Sequence, residues 1–173
     1  MAKWLLLVVV TLAVVGGAAV LIGLALPQSH VAYRSAHLSS PPEKVWSTIT
    51  AVAAFPEWRP DVASVEQLPP QNGHMIWREV SRKGNKLTFE AETSEPPRHL
   101  VARIVDKGLP FGGSWDYEIQ PDGTGSRITI TENGEVYNPI FRVVTRFMSQ
   151  TATLDKYLTA LAARLGDSYA PPG

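Results

Sequence analysis

The chain has 173 residues, with 16 basic and 16 acidic side chains and no cysteine. Disulfides, thiolate metal sites and a cysteine nucleophile are therefore excluded. Lys3 precedes a long apolar segment, so the remainder carries 15 basic against 16 acidic residues, a net of −1; this argues against a nucleic-acid partner, because phosphate binding needs a basic face.

Leu5 to Leu26 contains no charged residue. A helix of that length spans about 33 Å at 1.5 Å per residue, enough to cross the hydrocarbon core of a bilayer, and Trp4 sits where an interfacial aromatic anchor is expected. A single transmembrane span over about residues 4–26 is favoured over a cleaved leader. The run exceeds the usual length of a leader's apolar region, and Ala25-Leu26-Pro27 is a poor cleavage site. Residues 1–27 are thus assigned to the span, 28–166 to one ligand-binding domain and 167–173 to a disordered tail. Lys3 and the amino terminus favour a cytoplasmic N-terminus, while Arg34 and Lys44 beyond the span oppose it. The reading adopted is a single-pass protein with its domain outside the cytoplasm.

Past Pro27, Val31 to Leu38 reads as a strand. Ser40-Pro-Pro-Glu43 has the form of a capped helix start, followed by Val45, Trp46, Ile49 and Val52 at helical spacing and a break at Phe55-Pro-Glu-Trp-Arg-Pro60. Strands are then expected over Val62–Leu68, ended by Pro69-Pro70, and over His74–Ser81, Lys86–Thr93, Arg98–Val105, Trp115–Gln120 and Arg127–Thr131. Their period-2 alternation gives each one wet and one buried face. Asn138-Pro139 begins a long helix whose apolar stripe runs Ile140, Val143, Val144, Phe147, Met148, Leu154, Leu158, Leu161 and Leu165, with Gly166 as terminator.

This order predicts an α+β architecture: a curved antiparallel sheet wrapped around a long C-terminal helix and preceded by one N-terminal transmembrane helix. The motifs Ser40-Pro-Pro-Glu-Lys-Val-Trp46, Phe55-Pro-Glu-Trp58, Gly113-Ser-Trp-Asp-Tyr117, Gly125-Ser-Arg-Ile-Thr-Ile-Thr-Glu132 and Gly134-Glu-Val-Tyr-Asn-Pro139 occur in one order and spacing. Through them the chain resembles the START/Bet v 1-like superfamily, in its polyketide cyclase/dehydrase and lipid-transport branch, from Val31 to Leu165. The resemblance implies a helix-grip fold with a hydrophobic-ligand cavity. It does not imply a reaction, because members include binders, carriers and enzymes.

The expected cavity lining is Trp77, Phe89, Trp115, Tyr117, Ile119, Ile128 and Ile130 from the sheet, with Phe147 and Leu154 from the last helix; the alternative for these side chains is a filled core. Pro110, Phe111, Gly112 and Gly113 suggest a gate at the cavity mouth, against an ordinary tight turn. No catalytic constellation is assigned. The two carboxylates of interest are Glu132, which continues the inward phase of Ile128 and Ile130 unless Asn133-Gly134 bulges it outward, and Glu79, in phase with Trp77. The four histidines are scattered, so no metal is expected, and no cofactor either. The function expected is a membrane-anchored binding or carrier domain for a lipid-like or polyketide-like molecule. The rivals are a cyclase/dehydratase-type enzyme using a cavity carboxylate and a tethered structural or interaction protein.

Overall fold

The apolar N-terminus forms one continuous helix, α1 (Ala2–Ala25), almost wholly exposed along its length. It is long and apolar enough to cross a membrane. The computed structural model describes residues 2–172. After Pro27 the chain enters a seven-stranded antiparallel curved sheet of order β1-β7-β6-β5-β4-β3-β2. Its strands are β1 (Ser29–Leu38), β2 (Val62–Gln71), β3 (His74–Ser81), β4 (Lys86–Glu95), β5 (His99–Ile104), β6 (Phe111–Asp122) and β7 (Gly125–Val136). Between β1 and β2 lie α2 (Pro42–Thr50), a single 3-10 turn and α3 (Phe55–Trp58); α4 (Pro139–Thr145) and α5 (Ala152–Arg164) follow β7.

The alternating strands fold as expected, but several run longer. β2 continues through Pro69 and Pro70 to Gln71. It is an edge strand, where a residue with no N–H to donate is tolerated, and a register shift after Leu68 absorbs the irregularity. Asn72 and Gly73, both at positive φ (53° and 85°), then make the tight turn into β3. β6 begins at Phe111 and β7 continues to Val136, because Gly113 pairs with Gly134 in an unbroken register that alternation of side chains could not reveal. A Cβ on Gly134 would come within 2.1 Å of the His30 imidazole, so glycine there makes room for that ring to cross the sheet. The helix start at Ser40 also differs. Pro41 is the N-cap of α2 and no side chain caps it, while the Ser40 carbonyl accepts from Ser126 Oγ.

The long final helix is in two pieces. α4 and α5 are separated by residues 146–151, and only α5 covers the sheet, burying Leu154, Leu158, Leu161 and Ala162. These meet Ile128 and Ile130, both fully buried, in the grip that the resemblance implies. Gly166 at φ 84° ends α5, with Asp167 N–H returning to the Ala162 carbonyl. Past it, Asp167 accepts from Ser39 N–H and Oγ, and Tyr169 Oη donates to Asp155 Oδ1 at 2.8 Å.

α4 does something else. Its Asn138 cap accepts from Phe141 N–H, and Phe141 stacks on Phe111 of β6 with ring centroids 6.2 Å apart. On its other side it packs against the end of α1. α4 is therefore a bracket between the apolar helix and the sheet.

Candidate ligand cavity

Between the inner face of the sheet and α5 lies a cavity of about 480 Å³. Strand register defines its walls. Ala102 pairs opposite Trp115, Ala91 opposite Ala102 and Trp77 opposite Phe89, so these side chains project to one side. Trp77 stacks on Phe89 at 5.4 Å, and Phe89 meets Trp115 edge-on at 5.9 Å. Ile130 and Tyr117 extend this wall, and Leu154 and Tyr157 face it from α5.

Three expected lining residues lie elsewhere. Ile119 and Ile128 are register partners toward the β6–β7 turn; α2 packs on that end of the sheet, and both are sealed in solid core. Phe147 is 86 % exposed, lying past the end of α4 in the segment that separates it from α5. The gate also changes character. Phe111, Gly112 and Gly113 are paired residues of β6 rather than a free loop, and the Pro110 carbonyl accepts from Tyr137 and Asn138 N–H. Phe111 and Leu109 do line the cavity.

The mouth is marked by the exposed lining residues Asp61, Asn85 and Lys86. The antiparallel pairings put the start of β4, the end of β5, the start of β6, the end of β7 and the start of β1 at one end of the sheet, so this mouth lies at the end where α1 joins it.

The apolar wall carries one polar cluster. Arg59, from the end of α3, donates from Nη1 to Glu79 Oε1 at 2.9 Å and from Nη2 to Asp61 Oδ2 at 2.8 Å. Trp77 Nε1 donates to the same Glu79 oxygen at 3.0 Å. The Arg59 and Glu79 side chains are only 14 % and 11 % exposed. Burial opposes the guanidinium charge, but Glu79, Tyr157 and Asp61 outweigh it and the net shift is upward, so Arg59 is a fixed cation. Its Nε is buried with no partner, and the guanidinium lies over the Phe55 and Tyr157 rings at 5.0 and 5.4 Å. Tyr117 and Tyr157 meet at 5.6 Å. Burial drives both phenols up, with Arg59 pulling against it, so both remain neutral donors.

Glu132 stays on the inner face. No bulge interrupts β7, and it sits opposite Trp115, whose Nε1 donates to Glu132 Oε2 at 3.0 Å; His30 Nε2 is 3.5 Å from the other oxygen. Glu79 and Glu132 both point inward but have different partners, so they form two separate sites rather than a carboxylate pair. Sequence reasoning missed Arg59 and Tyr157. Arg59 sits among prolines that read as a helix break, and Tyr157 has helical neighbours that read as ordinary stripe. A polar residue between Trp58 and Pro60 was the available signal. Among the described residues no group of His, Cys, Asp or Glu could hold a metal ion.

A second hollow, about 650 Å³, lies beside the first and shares Thr153 with it. It is lined by Leu26 and Pro27 after α1, by His30 and Glu132 of the sheet, and by Arg142 and Arg146. Its charged, open lining makes it a poorer receptacle for an apolar molecule than the smaller cavity.

A curved antiparallel sheet gripping one terminal helix around a hollow defines a helix-grip protein of the START/Bet v 1-like superfamily. The chain belongs to the polyketide cyclase/dehydrase and lipid transport family, whose pattern matches residues 29–166. No curated protein matches the chain by sequence. Among solved structures it resembles the ZhuI aromatase/cyclase from Streptomyces sp. R1128, with TM-score 0.65 and 13 % identity over 80 % of this chain and 94 % of that one. It also resembles a START superfamily protein from Mycobacterium smegmatis (TM-score 0.61, 18 % identity, 79 % of this chain and 97 % of that one). A third is the di-domain aromatase/cyclase BexL from the BE-7585A biosynthetic pathway (TM-score 0.65, 16 % identity, 98 % of this chain but 61 % of that one). At these identities the likeness is one of fold.

Proposed function

We propose that this protein is a membrane-anchored binding or carrier domain for a small hydrophobic molecule, lipid-like or polyketide-like. Residues 1–27 are its single-pass anchor and 28–166 its binding domain, outside the cytoplasm. The observation that carries the reading is the cavity of about 480 Å³ between the sheet and α5, walled by Trp77, Phe89, Trp115 and Leu154. Its volume lies within the range of roughly 300–1,000 Å³ usual for small-molecule sites. Its mouth shares an end of the sheet with α1, which suits an occupant exchanged with a bilayer. Membership of a family that includes lipid transport supports the same reading.

A second reading, a cyclase/dehydratase-type enzyme, is favoured by the Arg59, Glu79, Tyr117 and Tyr157 cluster in the cavity. Two neutral phenols and a fixed guanidinium are donors suited to polarising a ligand carbonyl. Glu79 Oε1 is already engaged by the protein, accepting hydrogen bonds from both Arg59 and Trp77. The binding reading therefore stands first. A purely structural role would suit a filled interior, and the cavity counts against it.

The test is a cavity-filling substitution. Ala102→Phe places a ring where Ala102 now lines the hollow. Solvent extraction and mass spectrometry of the full chain purified in detergent should recover a stoichiometric apolar compound from the wild type and about tenfold less from the variant, equivalent to ~1.4 kcal/mol of binding. Equal recovery from both would place the compound on α1 and remove the proposal.

A further inference from the structure

α4 and the turn after it leave a connected set of large apolar side chains in the open. Ile140, Val144, Phe147 and Met148 are 50 %, 51 %, 86 % and 61 % exposed. Their spacing of four, three and one residues puts them on one side of a helical turn, which continues past α4 through bonds from Phe147 to Val144 and from Met148 to Thr145. Phe141, beside this face, is stacked on Phe111, and the opposite side is committed to the protein through Arg142, which donates to the Val136 and Tyr137 carbonyls.

The position of this face says what covers it. α4 meets α1 at Gly23, the one buried residue of α1, where a Cβ would come within 1.9 Å of the Pro139 carbonyl oxygen. Arg142 Nη1 donates to the Gly23 carbonyl at 3.2 Å and Nε to the Val136 carbonyl at 2.7 Å, clamping α4 to the last turn of α1 and to β7. Gly23 is two residues from the end of α1, or about 3 Å along its axis. If α1 spans a bilayer, α4 therefore lies at the depth where the span leaves the hydrocarbon. Charge agrees with this placement. Between Glu135 and Asp155 the only charged residues are Arg142 and Arg146, so the segment carries a net of +2, which suits anionic headgroups.

We infer that Ile140–Met148 is a second membrane contact, a short interfacial segment whose apolar side chains enter the leaflet from which α1 emerges. This rests on the reading of α1 as a retained span. With the segment seated, the domain is held at two points, and the end of the sheet bearing both hollows faces the lipid. The occupant is the bilayer rather than a second copy or another protein, because α4 packs on the end of α1 at Gly23, where the neighbouring α1 residues Leu21, Ile22 and Leu24 are exposed as well.

The absence of native cysteine makes the test direct. Single variants Leu12→Cys, Phe147→Cys and Thr124→Cys of the full chain are labelled with a polarity-sensitive fluorophore. Each is reconstituted in phosphatidylcholine/phosphatidylglycerol vesicles with and without a quencher on the acyl chain. Thr124 lies in the β6–β7 turn, at the far end of a strand roughly 36 Å long by its rise per residue. The labels at 12 and 147 should shift to the blue and be quenched, and the label at 124 should do neither. Quenching at 12 but not at 147 overturns the interfacial contact and leaves the anchor intact. No quenching at 12 overturns the anchor itself and the contact with it. Quenching at all three means that the domain is not oriented as inferred, and overturns the proposal.

Discussion

Arg59 Nη1 reaches Glu79 Oε1 at 2.9 Å within a wall that is mostly aromatic and aliphatic. The pair spans the gap between α3 and β3, so it joins the helical connection to the sheet where the cavity needs a rim.

Breaking this pair should be costly. Arg59→Met leaves Glu79 nearly enclosed with only Trp77 as donor, and the loss of one partner of a buried ion pair typically costs about 3–5 kcal/mol. Arg59→Met combined with Glu79→Leu should recover most of that loss, because two apolar side chains need no mutual compensation. Denaturant unfolding of the two variants checks this; equal destabilisation by both would mean that the pair holds shape through packing alone.

The Trp115–Glu132 bond makes a smaller contribution. Trp115→Phe keeps the ring against Phe89 but removes the donor 3.0 Å from Glu132, and should cost about 1–3 kcal/mol for an under-satisfied buried carboxylate. Unfolding midpoints of Trp115→Phe and of Trp115→Phe with Glu132→Gln should differ, the double variant being the more stable.

Gly23→Leu should separate α4 from α1, since the new side chain meets backbone of Pro139 that cannot move aside. Leucine is well accepted in a span, so insertion should be unaffected. Lipid quenching of a label at Phe147→Cys should fall while quenching at Leu12→Cys is unchanged. An unchanged signal at both positions would show that the bracket holds without this contact.

Alkaline pH should destabilise the domain. Burial raises the Tyr117 and Tyr157 phenols above the usual value of 10, so in this range the folded chain binds more protons than the unfolded one. Stability then declines as pH rises. The contribution is complete below pH 10 and is lost as pH climbs through the folded values. Tyr157→Phe should flatten the decline in thermal midpoint above pH 10; a slope identical to that of the wild type would rule out these phenols as its source.

Much of the architecture was legible in the chain because it rests on local periodicity. Lys86–Thr93 and Trp115–Gln120 alternate so regularly that only a sheet satisfies them, and the resemblance motifs ordered those strands around a final helix. The inward direction of Trp77, Phe89 and Trp115 was readable for the same reason. The ends of the strands were not. Gly112 and Gly113 pair with Glu135 and Gly134 across β6 and β7 without side-chain alternation to announce it, so the sequence suggested a gate at the first pair and left a bulge at Asn133-Gly134 open.

What the sequence alone determined is whatever a period can encode: one apolar helix of spanning length, strands with one greasy face, and a leucine stripe to cover them. Tertiary structure alone decided that the stripe divides at residues 146–151, that Phe147 faces outward, and that Arg59 turns inward to meet Glu79. The reason is physical. Periodicity reports which face of an element is apolar, but a break, a clamp such as Arg142 on the Gly23 carbonyl, or an ion pair between residues twenty apart depends on where elements meet in space.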